Sequence, residues 1–176
     1  MSNISTQTKT TSSGFTLIET LVALSVLMVA IAAPMTLVQN SLSSANFATK
    51  QITASFLAQD ALEYVQSVRD SSVGTNDWLG GFVGICQSPN GCTIDTAVDA
   101  VSACSSTCPK LNYLPSFGVY AHFGGGSGAV ESPFRRKVVV ESINSQEASV
   151  TSTVSWTGTL GDRSVVLKKR LFEWQQ

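Results

Sequence analysis

The sequence predicts an α+β chain: one long N-terminal helix, membrane-spanning in its first half and amphipathic in its second, packed on a C-terminal antiparallel β-sheet. Three observations carry this. Leu17 to Val38 is almost wholly apolar, broken only by Glu19, Thr20, Ser25, Pro34 and Thr36. From Asn40 to about Arg69 apolar residues return every three or four positions, the period of a helix face. From Phe134 onward the pattern changes to alternation, the period of a strand, interrupted by short turns.

Of 176 residues, those beyond Val38 suffice for one modest domain with a real core. A net charge of -1 gives no overall pull toward nucleic acid or acidic lipid. Charged residues are sparse at 13%, while Ser and Thr are frequent; that balance fits an exported β-rich domain better than a cytosolic enzyme.

Residues 1–14 are rich in Ser and Thr, carry one charge at Lys9 and have no apolar core of their own. They read as a disordered leader that stays cytoplasmic and is removed, with Lys9 weakly favouring an N-inside orientation. Phe15 to Val38 would make a helix of about 36 Å, enough to cross a hydrocarbon layer of about 30 Å. Pro34 removes one backbone donor and is expected to kink or loosen that helix. Glu19 is the odd residue. A carboxylate in a membrane-length apolar run is costly and calls for a partner. A secretory signal peptide cut after Ala30-Ile31-Ala32 would explain the apolar run, but neither Glu19 nor a proline just past the cut. A plain single-pass anchor gives no reason for Glu19 either.

Gly14-Phe15-Thr16-Leu17-Ile18-Glu19, within the wider run Gly14 to Leu24, resembles the processing site of type IV prepilins. A small residue, then Phe, then Glu four positions on, then an unbroken apolar helix makes the likeness specific. The resemblance implies cleavage between Gly14 and Phe15 by a prepilin peptidase and methylation of the new Phe15 amine. It also implies that Glu19 meets the amino terminus of a neighbouring subunit during assembly. It is strong over the N-terminal quarter and rests on architecture elsewhere. Pro34 lies somewhat earlier than the proline often found in that family.

The amphipathic helix, residues 39–70, is expected to bury Ala45, Ala48, Ile52, Phe56, Leu62, Val65 and Val68 against the sheet, with Lys50, Gln51, Gln59, Asp60 and Glu63 on the other side. Ser71 to Gly74 ends it. Residues 71–116 read as an irregular connection, marked by Gly80-Gly81, Ser88-Pro89-Asn90-Gly91 and Cys108-Pro109. Trp78, Leu79, Phe82, Val83 and Ile85 are its expected anchors. In pilin-like proteins this connection is the variable, exposed region. Residues 117–176 are expected to form the sheet, with strands at 117–123, 134–143, 148–157 and 164–174. One face should lie on the helix. The resemblance makes this a pilin-like architecture.

Cys86, Cys92, Cys104 and Cys108 all lie in the connection. Beyond a membrane segment they would meet an oxidising compartment, so disulfides are expected. Four cysteines allow three connectivities; local pairs, Cys86 with Cys92 and Cys104 with Cys108, are preferred. The spacing is not that of a zinc knuckle and His122 is remote, so no metal is expected.

Little in the chain points to catalysis, and no cofactor is expected. His122 stands alone beside Tyr120 and Phe123, and the carboxylates form no tight pair. The run Gly124 to Gly128 lacks the Gly-Lys-Ser/Thr of a phosphate loop and the spacing of a nucleophile elbow. Residues 131–176 hold seven Lys/Arg against five Asp/Glu. Two clusters, Arg135-Arg136-Lys137 and Lys168-Lys169-Arg170, would meet near one end of the sheet if their strands pair. A nucleic-acid contact there is the sharper reading, a solvated strand face or subunit groove the plainer one.

The expectation is therefore a minor pilin of the pilus-modification (V-type) kind, a structural subunit of a type IV pilus and not an enzyme. A pseudopilin of type II secretion would look the same at its N-terminus. A filament-tip adhesin or DNA-binding module is a further alternative. The implied partners are other pilins or pseudopilins, the prepilin peptidase, the inner-membrane assembly platform and, before assembly, lipid. The implied location is the inner membrane, single-pass with the C-terminal domain outside, and then a filament.

Overall fold

The computed structural model describes residues 14–72, 77–122, 128–158 and 161–173. The expected leader up to residue 13, Val73 and Gly74, Phe123, the glycine run over 124–127, and Trp174 lie outside the described residues. The chain divides into two units, Met1–Asn46 and Phe47–Gln176.

Helix α1, Leu17–Ser71, contributes to both units and is continuous through Pro34. It starts where the sequence carries a start signal: the Glu19 amide donates to Thr16 Oγ1 at 3.3 Å, the side-chain half of a Thr-x-x-Glu capping box. In the first unit its large apolar side chains are all exposed, from Leu17 at 80% to Val38 at 57%.

In the second unit α1 lies on an antiparallel sheet, so the arrangement is α+β and pilin-like. After α1 come α2 (Phe82–Ile85) and the strands β1 (Cys92–Asp95), β2 (Ala100–Ala103), β3 (Lys110–Leu114), β4 (Val119–Ala121), β5 (Val130–Asn144), β6 (Glu147–Gly158) and β7 (Gly161–Phe172). β5, β6 and β7 form an up-and-down meander. The β1–β2 and β3–β4 hairpins share the other edge of β5. β3 takes its N-terminal part, with Tyr113 opposite Val130 and Lys110 opposite Arg135, and β1 continues with Cys92 opposite Val138. Past that point the Val140 amide donates to the Cys86 carbonyl at 2.9 Å.

The connection is thus more ordered than expected. Residues 71–116 contain a helical turn and three strands. These strands are four or five residues long, and β1 is buried at every position. Neither length nor alternation could signal it; β1 pairs with β2 over all four residues and joins the larger sheet through Cys92 opposite Val138.

The buried face of α1 also differs from the expected stripe. Leu62 and Val65 are buried and Val68 is half-buried, but Ile52 and Phe56 are 58% and 66% exposed. The residues facing the sheet are Ala54, Leu57, Ala58 and Ala61. Phe56 and Ile52 lie four apart on the opposite side. The expected positions Ala45 and Ala48 are exposed as well, and the alanines that the helix does bury, Ala54, Ala58 and Ala61, have small side chains that bring its backbone close to the strands. Ile85, an expected anchor, is 41% exposed, while Leu79 and Phe82 are buried.

The core has two clusters. One joins Ala61, Leu62 and Val65 to Val140, Val150 and Leu171. The other joins Ala54, Leu57 and Ala58 to Leu111, Phe134, Val154 and Trp156. Phe134 stacks edge-on with both Tyr120 and Trp156, with ring centroids 5.9 and 6.1 Å apart.

The structure pairs Cys86 with Cys92 and Cys104 with Cys108. The loops they close are also tied to each other: Asn90 Nδ2 donates to the Ser105 carbonyl at 2.8 Å and the Cys104 amide to the Gly91 carbonyl at 2.9 Å. Gly91 has φ +69°, and a Cβ there would stand 2.5 Å from the Val138 carbonyl, so this turn requires glycine. Replacing Cys86 and Cys92 together by serine is expected to lower stability by about 2 kcal/mol. The readout is the thermal midpoint under non-reducing conditions; an unchanged midpoint would refute it.

Candidate functional site

The N-terminal motif lies at the start of α1. Phe15 is 81% exposed and precedes the helix. Glu19 stands in the first turn, where the partial positive charge of the helix end favours a carboxylate. Among the described residues it forms no ion pair. Among the described residues the helix end is what compensates Glu19, and that is weak in an apolar medium. The following run reaches a mean hydropathy of 2.5 over 18 residues, none of them buried. Its hydroxyls are turned back on the helix: Thr20 Oγ1 donates to the Leu17 carbonyl at 2.8 Å and Ser25 Oγ to the Val22 carbonyl at 2.7 Å. Such internal bonding lets polar side chains sit in hydrocarbon.

The six candidate surface cations do not form one patch. β5 and β7 are separated by β6, and the register places Lys137 and Val166 opposite Thr153, with Lys168 opposite Thr151. Arg136 and Lys169 point toward the helix. Lys169 Nζ donates to Gln66 on α1. Arg136 is fully buried: Nη1 donates to the Leu57 carbonyl at 2.8 Å and Asp60 Oδ2 at 2.7 Å, and Nη2 to the Ile94 carbonyl at 2.6 Å. It cannot contact a nucleic acid, and its role is to join α1, β1 and β5. On the other face Arg135 donates to the Cys108 carbonyl and Lys137 Nζ to the Pro89 carbonyl at 3.4 Å. Arg170 pairs with Glu147 at 3.0 Å, and Lys168 is exposed. Strand alternation, applied to each cluster, separates these inward and outward members from sequence alone.

His122 follows β4 beside this junction. Its backbone amide donates to Asp95 Oδ2 at 2.7 Å. Both ring nitrogens are buried without a completed hydrogen bond, the Lys110 carbonyl lying nearby. Burial first, and then the Arg136 charge, pull its pKa down to about 4, against the opposing effect of Asp95. The unfolded chain therefore binds a proton near pH 6.5 that the folded chain refuses until about pH 4. The stability that His122 contributes is complete above the unfolded value and is lost as pH falls through this window. The thermal midpoint is expected to drop by a few degrees between pH 7 and pH 4.5, and His122→Gln should flatten that part of the profile. Equal slopes for both chains would overturn this. The arrangement is that of a structural histidine, its amide held by the Asp95 carboxylate and its ring buried beside Arg136.

The cysteines are all engaged in disulfides, which leaves no thiolate for zinc. Among the described residues no three His, Cys, Asp or Glu side chains are grouped to hold a metal ion.

Residues 9–33 match the family model of the prokaryotic N-terminal methylation motif. No curated protein and no solved structure matches the chain. The motif match supports a type IV pilin-like prepilin of the pilin or pseudopilin kind, and the long apolar helix fits membrane anchoring; proteins that carry this motif are processed by prepilin peptidase and assemble with other pilins.

Proposed function

We propose that this chain is a minor pilin, a structural subunit of a type IV pilus. The observation that carries the reading is the methylation motif over residues 9–33, placed at the start of an apolar helix with no partner of its own. In this reading residues 1–14 are the leader, cut off between Gly14 and Phe15, and the Phe15 amine is methylated. Residues 15–38 hold the subunit in the inner membrane, and residues 39–176 form the domain outside. Two disulfides favour an oxidising compartment for that domain.

The mechanism is assembly. In the membrane Glu19 is a carboxylate in hydrocarbon, and the free Phe15 amine of a neighbouring subunit is the cation that can compensate it. In a low-dielectric bundle such a pair is strong and an unpaired charge is costly. The exposed apolar side chains from Leu17 to Val38 then exchange lipid for neighbouring helices. In the second unit Ile52 and Phe56 are apolar and exposed opposite the sheet. A type II secretion pseudopilin would share all of this; the stapled, polar surface between residues 86 and 108 favours a pilus subunit with its own exposed face.

Mass spectrometry of the N-terminus in the membrane fraction tests the reading. A chain beginning at methylated Phe15 is expected. A chain beginning near Ala33 would make this an ordinary secreted domain and overturn it. Recovery of the processed chain in sheared surface filaments, rather than only in the cell envelope, separates pilus from pseudopilus.

A further inference from the structure

β7 is a twelve-residue strand paired along its whole length with β6, from Gly158 opposite Gly161 to Glu147 opposite Phe172. Its other edge has no strand partner among the described residues. The remaining sheet edges belong to β2 and β4, which are four and three residues long. The Phe172 carbonyl, at the extreme end of β7, is met by Arg69 Nη1 at 3.5 Å.

Edges of this length are usually blunted by a proline, a bulge, a covering segment or charge. β7 contains no proline, and its register with β6 has no irregularity. Charge is the device that the strand itself carries. Asp162, Arg163, Lys168, Lys169 and Arg170 give the strand a net charge of +3. Lys169 turns inward to Gln66, while Lys168 and Arg170 remain exposed on the face that also exposes Val166 at 57% and Phe172 at 51%.

We propose that the free edge of β7 takes up an extended, acidic strand from a different protein chain, by backbone pairing that continues the sheet. The backbone supplies the hydrogen bonds, and Lys168 and Arg170 select for carboxylates at alternate positions. A second copy of this chain fits poorly. Each copy of β7 would bring four cations and one carboxylate to the pairing, so it offers Lys168 and Arg170 little opposite charge, and parallel pairing in register would stack every cation on itself; like charges directly opposite each other destabilise a sheet. The inference stands apart from the membrane reading, because it concerns only the second unit.

The test uses the full chain in detergent micelles. The probe is a ten-residue peptide alternating Val and Thr, with Glu at two alternate positions. Hydrogen exchange followed by mass spectrometry should slow within residues 161–172 when the peptide is added. A Lys-for-Glu version should bind about tenfold less tightly, and Lys168→Glu/Arg170→Glu should reverse the preference, with a lowered thermal midpoint because Glu147 loses Arg170. Lys168→Glu alone, which leaves the Arg170–Glu147 pair in place, should reduce the preference. A Glu peptide methylated at alternate backbone nitrogens should not protect β7. Absence of protection by the Glu peptide, or equal binding of its methylated form, would overturn the proposal. So would β7 protection that grows with the concentration of the chain alone, which would mean self-pairing.

Discussion

Arg136→Ala is expected to cost on the order of 4 kcal/mol, enough to unfold much of the second unit near physiological temperature. The side chain is fully buried and among the largest in the core. Its removal leaves a cavity where three elements meet and takes the guanidinium donor from the Leu57 and Ile94 carbonyls. Asp60 loses its cation but keeps the Thr96 hydroxyl, which donates at 3.0 Å, and about 43% of its side chain is in water. Asp60→Asn should therefore cost much less, about 1 kcal/mol, since an amide oxygen can still accept from Arg136. Thermal unfolding of the full chain in detergent, followed by near-ultraviolet circular dichroism, gives both values. If Arg136→Ala melted within a degree or two of the parent chain, the junction would not be what fastens β1 to the helix.

Glu19→Ala should leave the chain inserted in the membrane and nearly absent from filaments, with incorporation reduced about tenfold or more. The substitution makes the apolar run more apolar, so insertion has no reason to fail. It also leaves the alanine side chain unable to meet a neighbour's amine. In the proposed assembly the Phe15 amine would then enter the bundle with an uncompensated positive charge, a cost that opposes every addition. Comparing the subunit in sheared filaments and in the membrane fraction by immunoblot reads the effect. Normal incorporation would remove the charge pair from the mechanism.

The helix and the meander were legible in the sequence because each carries a period over many residues. Seventeen apolar positions between Leu17 and Val38 announce the first half of α1, and the alternation from Val150 to Trp156 announces β6 with its inner face. The N-terminal motif was legible for a different reason: its residue types and spacing are short-range and need no tertiary contact. What stayed hidden depends on partners remote in the chain. β1 shows no alternation because both its faces are covered. The buried face of α1 escaped because alanine is a weak signal in a stripe that also contains Ile52 and Phe56. Arg136 read as part of a basic surface run because its immediate neighbours are cationic. Only its inward alternation, and the placement of Asp60 seventy-six residues earlier, turn it into a core residue.

The shared edge of β5 divides the second unit into a frame and an attachment. α1 with β5, β6 and β7 makes the frame, held by the two core clusters and a register without interruption between β6 and β7. The two hairpins hang on the remaining edge, each held by its own few pairings. Length or sequence can change at the Cys104–Cys108 loop or the β3–β4 turn without shifting the pairing of the long strands. Such a change must respect the glycine under the Val138 carbonyl, the carbonyl that Ile94 presents to Arg136, the carbonyls that Ser105 and Cys108 present to Asn90 and Arg135, and Leu111 in the core. A scaffold of this kind can acquire a new outer surface while the part that would enter a filament stays the same.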